Sequence, residues 1–124
     1  MTMSQLELVD LEGFGKKLLR HNDKIFPSFV SDLLKLKSFK TNADDTFVVA
    51  YPKSGTTWTE EIAWLIQNNL DFEKANSMAH TERVLFLDEV PMTKCDQIST
   101  PRVFKTHLTF DYLPENIETK SKLI

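Results

Sequence analysis

A short polar run, residues 51–58, separates two segments of different pattern, and this order constrains the fold more than any other feature. Residues 46–50 form an apolar run typical of a buried strand. From residue 57 to about residue 70, apolar side chains recur at the spacing of one helix face. The sequence therefore predicts a strand, a tight loop and a helix in succession.

The composition of this loop suits it to hold an anionic phosphate. The first amides of a helix have no partner inside it, and the helix dipole places partial positive charge there. Gly55 allows a sharp turn and a close approach to the backbone. Thr56 and Thr57 add hydroxyl donors, and Lys53 adds a mobile positive charge. The alternative, a surface turn in which Thr56 only caps the helix, leaves Lys53 unexplained.

The order of residues in the loop differs from that of the common nucleotide loop, in which the lysine directly follows the second glycine. Here Lys53 lies two residues before Gly55, and no earlier glycine opens the loop. The run YPKSGTTW resembles instead the 5′-phosphosulfate loop of the cytosolic sulfotransferases. This resemblance implies the donor 3′-phosphoadenosine 5′-phosphosulfate and an α/β fold, a P-loop-like parallel sheet flanked by helices.

A second constellation lies in residues 101–108, a stretch that is typical of a short buried strand ending in polar residues. Chemistry in open α/β sheets gathers at the carboxyl ends of strands. If this strand and residues 46–51 are parallel neighbours, Lys53 and His107 face one crevice. The run Lys105-Thr106-His107-Leu108 also resembles the K-T-H-L-P segment of the same family. Thr109 replaces the proline, which leaves the wall of the acceptor pocket less certain.

The resemblance implies a role for each site residue. His107 is the general base for the acceptor hydroxyl, Lys53 neutralises the leaving oxygen, and Lys105 holds the sulfuryl oxygens. The residues that bind the donor are Lys53, Ser54, Gly55, Thr56, Thr57 and Trp58. Those that bind the acceptor are Phe86, Lys105, Thr106 and His107. No metal is required, and Trp58 has the alternative of packing in the core.

Composition is that of an ordinary globular protein, with 124 residues, 41% of them hydrophobic, and a net charge of −3. This balance argues against nucleic acid as a partner. The single cysteine, Cys95, excludes an internal disulfide and fits a reducing compartment. Residues 1–10 contain no apolar core of a secretory signal. These features predict a soluble, cytoplasmic protein. The family resemblance implies a small-molecule acceptor as the partner, a phenol, steroid, alcohol or amine.

Elsewhere the patterns are weaker. We expect residues 1–20 to be an entry segment with a helical turn at Leu18-Leu19, and residues 27–37 to form an amphipathic helix. Residues 71–81 and 91–100 are interpreted as loops, and residues 82–90 as either strand or helix. His21 is interpreted as a solvated surface side chain, and His80 as a structural residue without a partner. Glu60 and Glu61 lie off the apolar face of the predicted helix and complement its dipole, and they diverge too far to form a catalytic pair.

Length adds one expectation, because the resembled family has more than twice as many residues. Residues 1–124 are expected to be the N-terminal portion of a single domain, ending at the start of the next central strand. Such a chain would be a very weak enzyme alone, and a homodimer of the full-length form stays open. Two alternatives remain: a P-loop nucleoside kinase or NTPase, and a non-catalytic relative that binds nucleotide or a partner protein.

Overall fold

The computed structural model describes residues 6–10, 17–30 and 32–124, and the chain divides into two compact units, Met1–Ser31 and Asp32–Ile124. The first unit is an antiparallel sheet in the order β1-β2-β3. Its strands are β1 (Glu7–Asp10), β2 (Lys17–His21) and β3 (Lys24–Pro27).

Three expectations for this N-terminal region are wrong. Leu18 and Leu19 lie in β2, where they pair with Pro27 and Phe26 of β3, so they form no helical turn. His21 at the end of β2 is buried, whereas a solvated position was expected. In place of a helix over residues 27–37, the described residues form turns and a 3₁₀ helix, Leu36–Ser38.

The apolar spacing after β3 explains the last of these differences. Leu33, Leu36 and Phe39 are buried and lie three residues apart. A repeat of three matches the 3₁₀ geometry, in which side chains at positions i and i+3 eclipse. The apolar side chains of this segment were therefore recognised correctly, but the chain carries them on turns and a three-residue 3₁₀ helix instead of an α-helix.

The second unit is built on a parallel sheet in the order β5-β6-β4-β7. Its strands are β4 (Thr46–Val49), β5 (Val84–Phe86), β6 (Val103–Thr106) and β7 (Lys122–Leu123). Its helices are α1 (Thr56–Gln67), α2 (Phe72–Ser77), α3 (His80–Arg83), α4 (Met92–Cys95) and α5 (Ile117–Lys120), with a 3₁₀ turn at Phe110–Tyr112.

This arrangement confirms the predicted α/β class with a parallel sheet, and β4 and β6 meet the condition that they be parallel neighbours. β7 pairs with the other side of β4, as expected for the next central strand. The two predicted loops instead contain the short helices α2 and α4, and residues 82–90 span the end of α3, all of β5 and the residues after it. Within the described residues, no helix is long and apolar enough to cross a membrane.

The two faces of the parallel sheet have different cores because side chains alternate along a strand. On one face, Val48 and Val103 pack with Ala63 and Trp64 of α1. Phe47 and Phe104 alternate with these strand residues and stack on each other with ring centroids 5.0 Å apart. This alternation also sends neighbouring residues of β6 to opposite faces, which matters for the site.

Helix α1 does not bury the apolar stripe that its sequence suggested. Trp58 is 80% exposed, and Ile62, Ile66 and Leu70 are each more than half exposed. The buried side of α1 carries Glu60, Ala63 and Trp64 instead. Periodicity identifies the apolar side of a helix, but the contacts of the helix decide which side is covered. The alternative that Trp58 packs in the core is therefore wrong.

Candidate functional site

The loop between β4 and α1 has the backbone shape of an anion cradle. Lys53 and Gly55 both have positive φ, 56° and 86°. A Cβ at Gly55 would meet no atom within 4 Å, so glycine is favoured there by its φ rather than by lack of space. A non-glycine residue in this region is uncommon and often marks a functional segment. The loop residues up to Gly55 are exposed to solvent.

Gly55 is the N-cap of α1, and no side chain caps the helix. The first amides of the helix are therefore left available for a ligand. Thr56 is already the first helical residue, so the alternative in which it serves only as the cap is wrong. The Ser54 hydroxyl donates to the carbonyl of Tyr51 at 2.7 Å and steadies the turn.

The carboxyl ends of β4 and β6 are joined directly. The amide of Ala50 donates to the carbonyl of Thr106 at 3.1 Å, and Nδ1 of His107 lies 2.9 Å from the carbonyl oxygen of Ala50. Because a carbonyl only accepts, Nδ1 carries the hydrogen and the neutral ring keeps Nε2 as an acceptor. Ala50 precedes Lys53 by three residues. The structure thus places His107 at the strand end from which the loop begins.

His107 is also held through Asp88, a residue that the sequence analysis missed. The Thr106 hydroxyl donates to Oδ1 of Asp88, and the His107 amide donates to Oδ2 at 3.1 Å. Thr106 is fully buried, and its hydroxyl also accepts from the amide of Leu108 at 3.1 Å. The predicted role of Thr106 in binding an acceptor gains no support from this geometry, because its side chain faces the interior.

Lys105 and Phe86 complete the group around His107. The Lys105 ammonium lies 4.8 Å from the centroid of the Phe86 ring. The Phe86 and His107 rings meet edge to face with centroids 5.4 Å apart. β5 and β6 pair in parallel with Phe86 opposite Lys105, so register alone brings these two side chains together. Three of the predicted site residues therefore lie in one cluster.

Burial is the largest influence on the Asp88 carboxyl, and it raises the pKa. The hydrogen bonds from Thr106 and His107 act in the opposite direction but do not cancel this effect. An unfolded chain then loses this proton at lower pH than the folded chain does. Folding stability is therefore expected to fall as pH rises from the ordinary aspartate pKa of about 3.9 through the raised folded value.

Asp88→Asn removes this titration while keeping an oxygen for the Thr106 hydroxyl. Urea denaturation from about pH 3.5 to 7 measures the unfolding free energy of both proteins. The stability of the original chain relative to Asp88→Asn should fall with rising pH across the lower part of this range. A difference that stays constant or rises with pH would contradict the raised pKa.

Two acidic residues on α1 have partners that the sequence analysis did not identify. Glu60 is buried, and its Oε1 lies 3.3 Å from Nε2 of His80. Glu61 receives two bonds from the Arg83 guanidinium, at 2.8 and 3.0 Å, and contacts Nδ1 of His80 at 3.0 Å. These contacts lower the pKa of Glu61, with Arg83 as the main cause. The expectation that His80 has no partner is wrong.

Cys95 is buried, and burial raises the pKa of its thiol. The interpretation of Cys95 as an ordinary thiol is consistent with this position. Among the residues that the structure describes, no group of His, Cys, Asp or Glu side chains is arranged to hold a metal ion.

Comparison of the sequence with known proteins and protein families shows which family this chain resembles. Residues 43–124 match the family described as sulfotransferase domain. Mouse "Sulfotransferase 1 family member D1" is 35% identical over 116 residues, which cover 89% of this chain and 36% of the mouse protein. The chain therefore spans little more than a third of the length of that relative.

Solved structures show the same fold. Retinol dehydratase in complex with androsterone and the inactive cofactor PAP has a TM-score of 0.68 at 20% identity, over 97% of this chain and 43% of that one. Mouse sulfotransferase SULT7A1 complexed with PAP has a TM-score of 0.63 at 26% identity, over 86% and 37% of the two chains.

Proposed function

Because the chain belongs to the sulfotransferase family, we propose that it supplies the donor loop and the general base of an enzyme that uses 3′-phosphoadenosine 5′-phosphosulfate. This enzyme transfers a sulfuryl group to a hydroxyl or amine of a small molecule. The observation that carries the proposal is the contact of His107 Nδ1 with the carbonyl of Ala50. It ties the base to the strand from which the phosphate loop begins.

The loop suits the donor's 5′-phosphate. The uncapped amides at residues 55–57 and the hydroxyls of Thr56 and Thr57 offer several hydrogen bonds to one anionic group. Ser54 lies in the same exposed turn, and Lys53 brings a full charge to the oxygen that leaves. The exposed indole of Trp58 is available to stack on the adenine. All of these assignments to the donor are part of the proposal.

The reaction follows from where charge and protons move. The acceptor oxygen forms a bond to sulfur while the bond between sulfur and the 5′-phosphate oxygen breaks. Nε2 of His107 takes the acceptor's proton, and Lys53 balances the negative charge on the phosphate oxygen. Lys105 holds the sulfuryl oxygens during the transfer. Positioning and electrostatics provide most of the rate in transfers of this kind.

Phenols, steroids, alcohols and amines are the proposed acceptors, with Phe86 as an apolar contact beside His107. The steroid class agrees with the androsterone in the complex of retinol dehydratase, which shares this fold. Location in the cytoplasm, a homodimer of the full-length form and the extent of the domain stay predictions. So does the expectation that this chain alone is a very weak enzyme, since it spans 36% of the mouse relative.

A donor-binding experiment on the chain tests the loop. Adding 3′-phosphoadenosine 5′-phosphate to the ¹⁵N-labelled chain should shift the amide signals of residues 53–58, and adenosine without phosphates should not. Lys53→Ala should weaken this effect, because it removes the mobile charge from the loop. Equal shifts with adenosine, or shifts outside this loop only, would contradict the proposed donor site.

An activity experiment tests the reaction. We define the grafted enzyme as the mouse relative in which the segment aligned with this chain is replaced by the matching segment of this chain. If the proposal holds, the grafted enzyme transfers labelled sulfate from the donor to a phenol. A grafted enzyme that melts cooperatively and binds the donor without any transfer would favour the non-catalytic alternative. Magnesium-dependent turnover of ATP would favour the kinase alternative.

A further inference from the structure

Glu60 is an ionisable side chain at a buried position where the packing of α1 does not require a charge. It is 1% exposed, on the side of the helix that faces the sheet. Moving a carboxylate out of water is strongly unfavourable, so buried acids are normally paired. Its Oε2 is buried and has no hydrogen-bond partner among the described residues. Packing alone would favour an apolar residue here, as at Ala63 and Trp64.

The two neighbouring acids of α1 have different cations as partners: Arg83 pairs with Glu61, and Lys105 lies near Glu60. Arg83 binds both oxygens of Glu61, at 2.8 and 3.0 Å. Glu60 has instead two partners at its Oε1, His80 Nε2 at 3.3 Å and the Lys105 ammonium at 3.9 Å. Lys105 lies on the face of β6 that carries Val103, which packs with α1. It is therefore the lysine that the sheet presents to Glu60.

The Lys105 ammonium contacts two groups that attract a cation. Oε1 of Glu60 is 3.9 Å away, and the centroid of the Phe86 ring, over whose face the ammonium lies, is 4.8 Å away. At 3.9 Å the contact with Glu60 is an ion pair too long to be a hydrogen bond. An ammonium has three N–H donors, and this ion pair occupies none of them at bonding distance. Lys105 is thus held in place but still free to donate to an anion.

We propose that Glu60 is a positioning residue, which holds the Lys105 ammonium over Phe86, beside His107, before the donor binds. His80 fixes the orientation of the Glu60 carboxylate through the same oxygen. The inference rests on the proposed function, since it assumes that Lys105 meets the sulfuryl oxygens. Preorganising a charge lowers the cost of reorganisation when charge develops in the transition state.

The position of Lys105 can be measured in the 124-residue chain without any activity. The Phe86 ring current should shift the Lys105 ε-methylene protons upfield in a ¹³C-lysine spectrum, and Phe86→Leu should mark their unshifted position. Glu60→Gln keeps the size of the side chain and removes its charge. We expect the Lys105 signal in this variant to move toward the unshifted position.

The matched control is Glu73→Gln, which makes the same change at an exposed carboxylate of α2 and should leave the Lys105 signal in place. Glu60→Asp keeps a carboxylate on a shorter side chain and should retain part of the Lys105 shift. If Glu60→Gln does not fold, this partial shift tests the same dependence on the carboxylate. A Lys105 signal that keeps its full shift without a carboxylate at position 60 overturns the inference.

Kinetics of the grafted enzyme separate positioning from a merely structural role. In Glu60→Gln, kcat should fall about tenfold while KM for the donor changes less than about twofold, because the interaction is improved only in the transition state. If the NMR signal moves but kcat does not, Lys105 does not serve the transfer. That outcome refutes the role of Lys105 in the proposed function, whereas an unmoved signal refutes only the inference about Glu60.

Discussion

His107→Asn in the grafted enzyme should lower kcat about 10²–10⁴-fold, the range that a positioned general base contributes. Asparagine has an amide N–H at nearly the position of Nδ1, so it can still donate to the carbonyl of Ala50. It has no group that takes a proton in place of Nε2. The loss should appear in labelled sulfate transfer at saturating donor and acceptor.

The expected loss of kcat assumes that the substitution removes the imidazole ring and leaves the fold and donor binding unchanged. Thermal unfolding should show that His107→Asn melts within a few degrees of the unmodified grafted enzyme, whereas His107→Ala also loses the bond to Ala50. Binding of 3′-phosphoadenosine 5′-phosphate should be unchanged in the asparagine variant. Transfer within tenfold of the unmodified rate would remove His107 from the role of base.

The largest loss of stability is expected from breaking a buried ion pair, whose two residues directly precede the central strands β4 and β6. Nε and Nη2 of Arg102 bind the two carboxylate oxygens of Asp45 at 2.9 and 2.6 Å. Both side chains are buried, 3% and 0% exposed. Arg102→Met should lower the free energy of unfolding by about 3–5 kcal/mol, because it leaves the Asp45 carboxylate buried without its cation.

Urea denaturation of the 124-residue chain measures this loss. The double variant Asp45→Leu/Arg102→Met should lose less than the two single variants together, because no unpaired charge remains. The control is Lys35→Met, which removes an exposed cation 3.9 Å from Asp32 and should change stability by less than about 0.5 kcal/mol. A cost of Arg102→Met below about 1 kcal/mol would show that the pair is not needed.

Local patterns were sufficient where the feature depends on neighbours along the chain. The apolar run before the loop is β4, the segment after it is α1, and the apolar run before His107 is β6. The rule that active residues gather at the carboxyl ends of strands made a parallel pairing of β4 and β6 the condition for a shared crevice, and the structure meets that condition. A signal for Asp45 and Arg102 was also present, since opposite charges precede Thr46 and Val103, which are in register.

Residue types and their order thus determined by themselves the strand, loop and helix and the position of His107 at a strand end. Only the tertiary structure decided which side of α1 is buried, that Asp88 holds the residues around His107, and that Glu60 lies against Lys105. The physical reason is that these contacts join residues 18 to 45 positions apart. Helix rotation and strand register set such contacts, and both are properties of the packed chain.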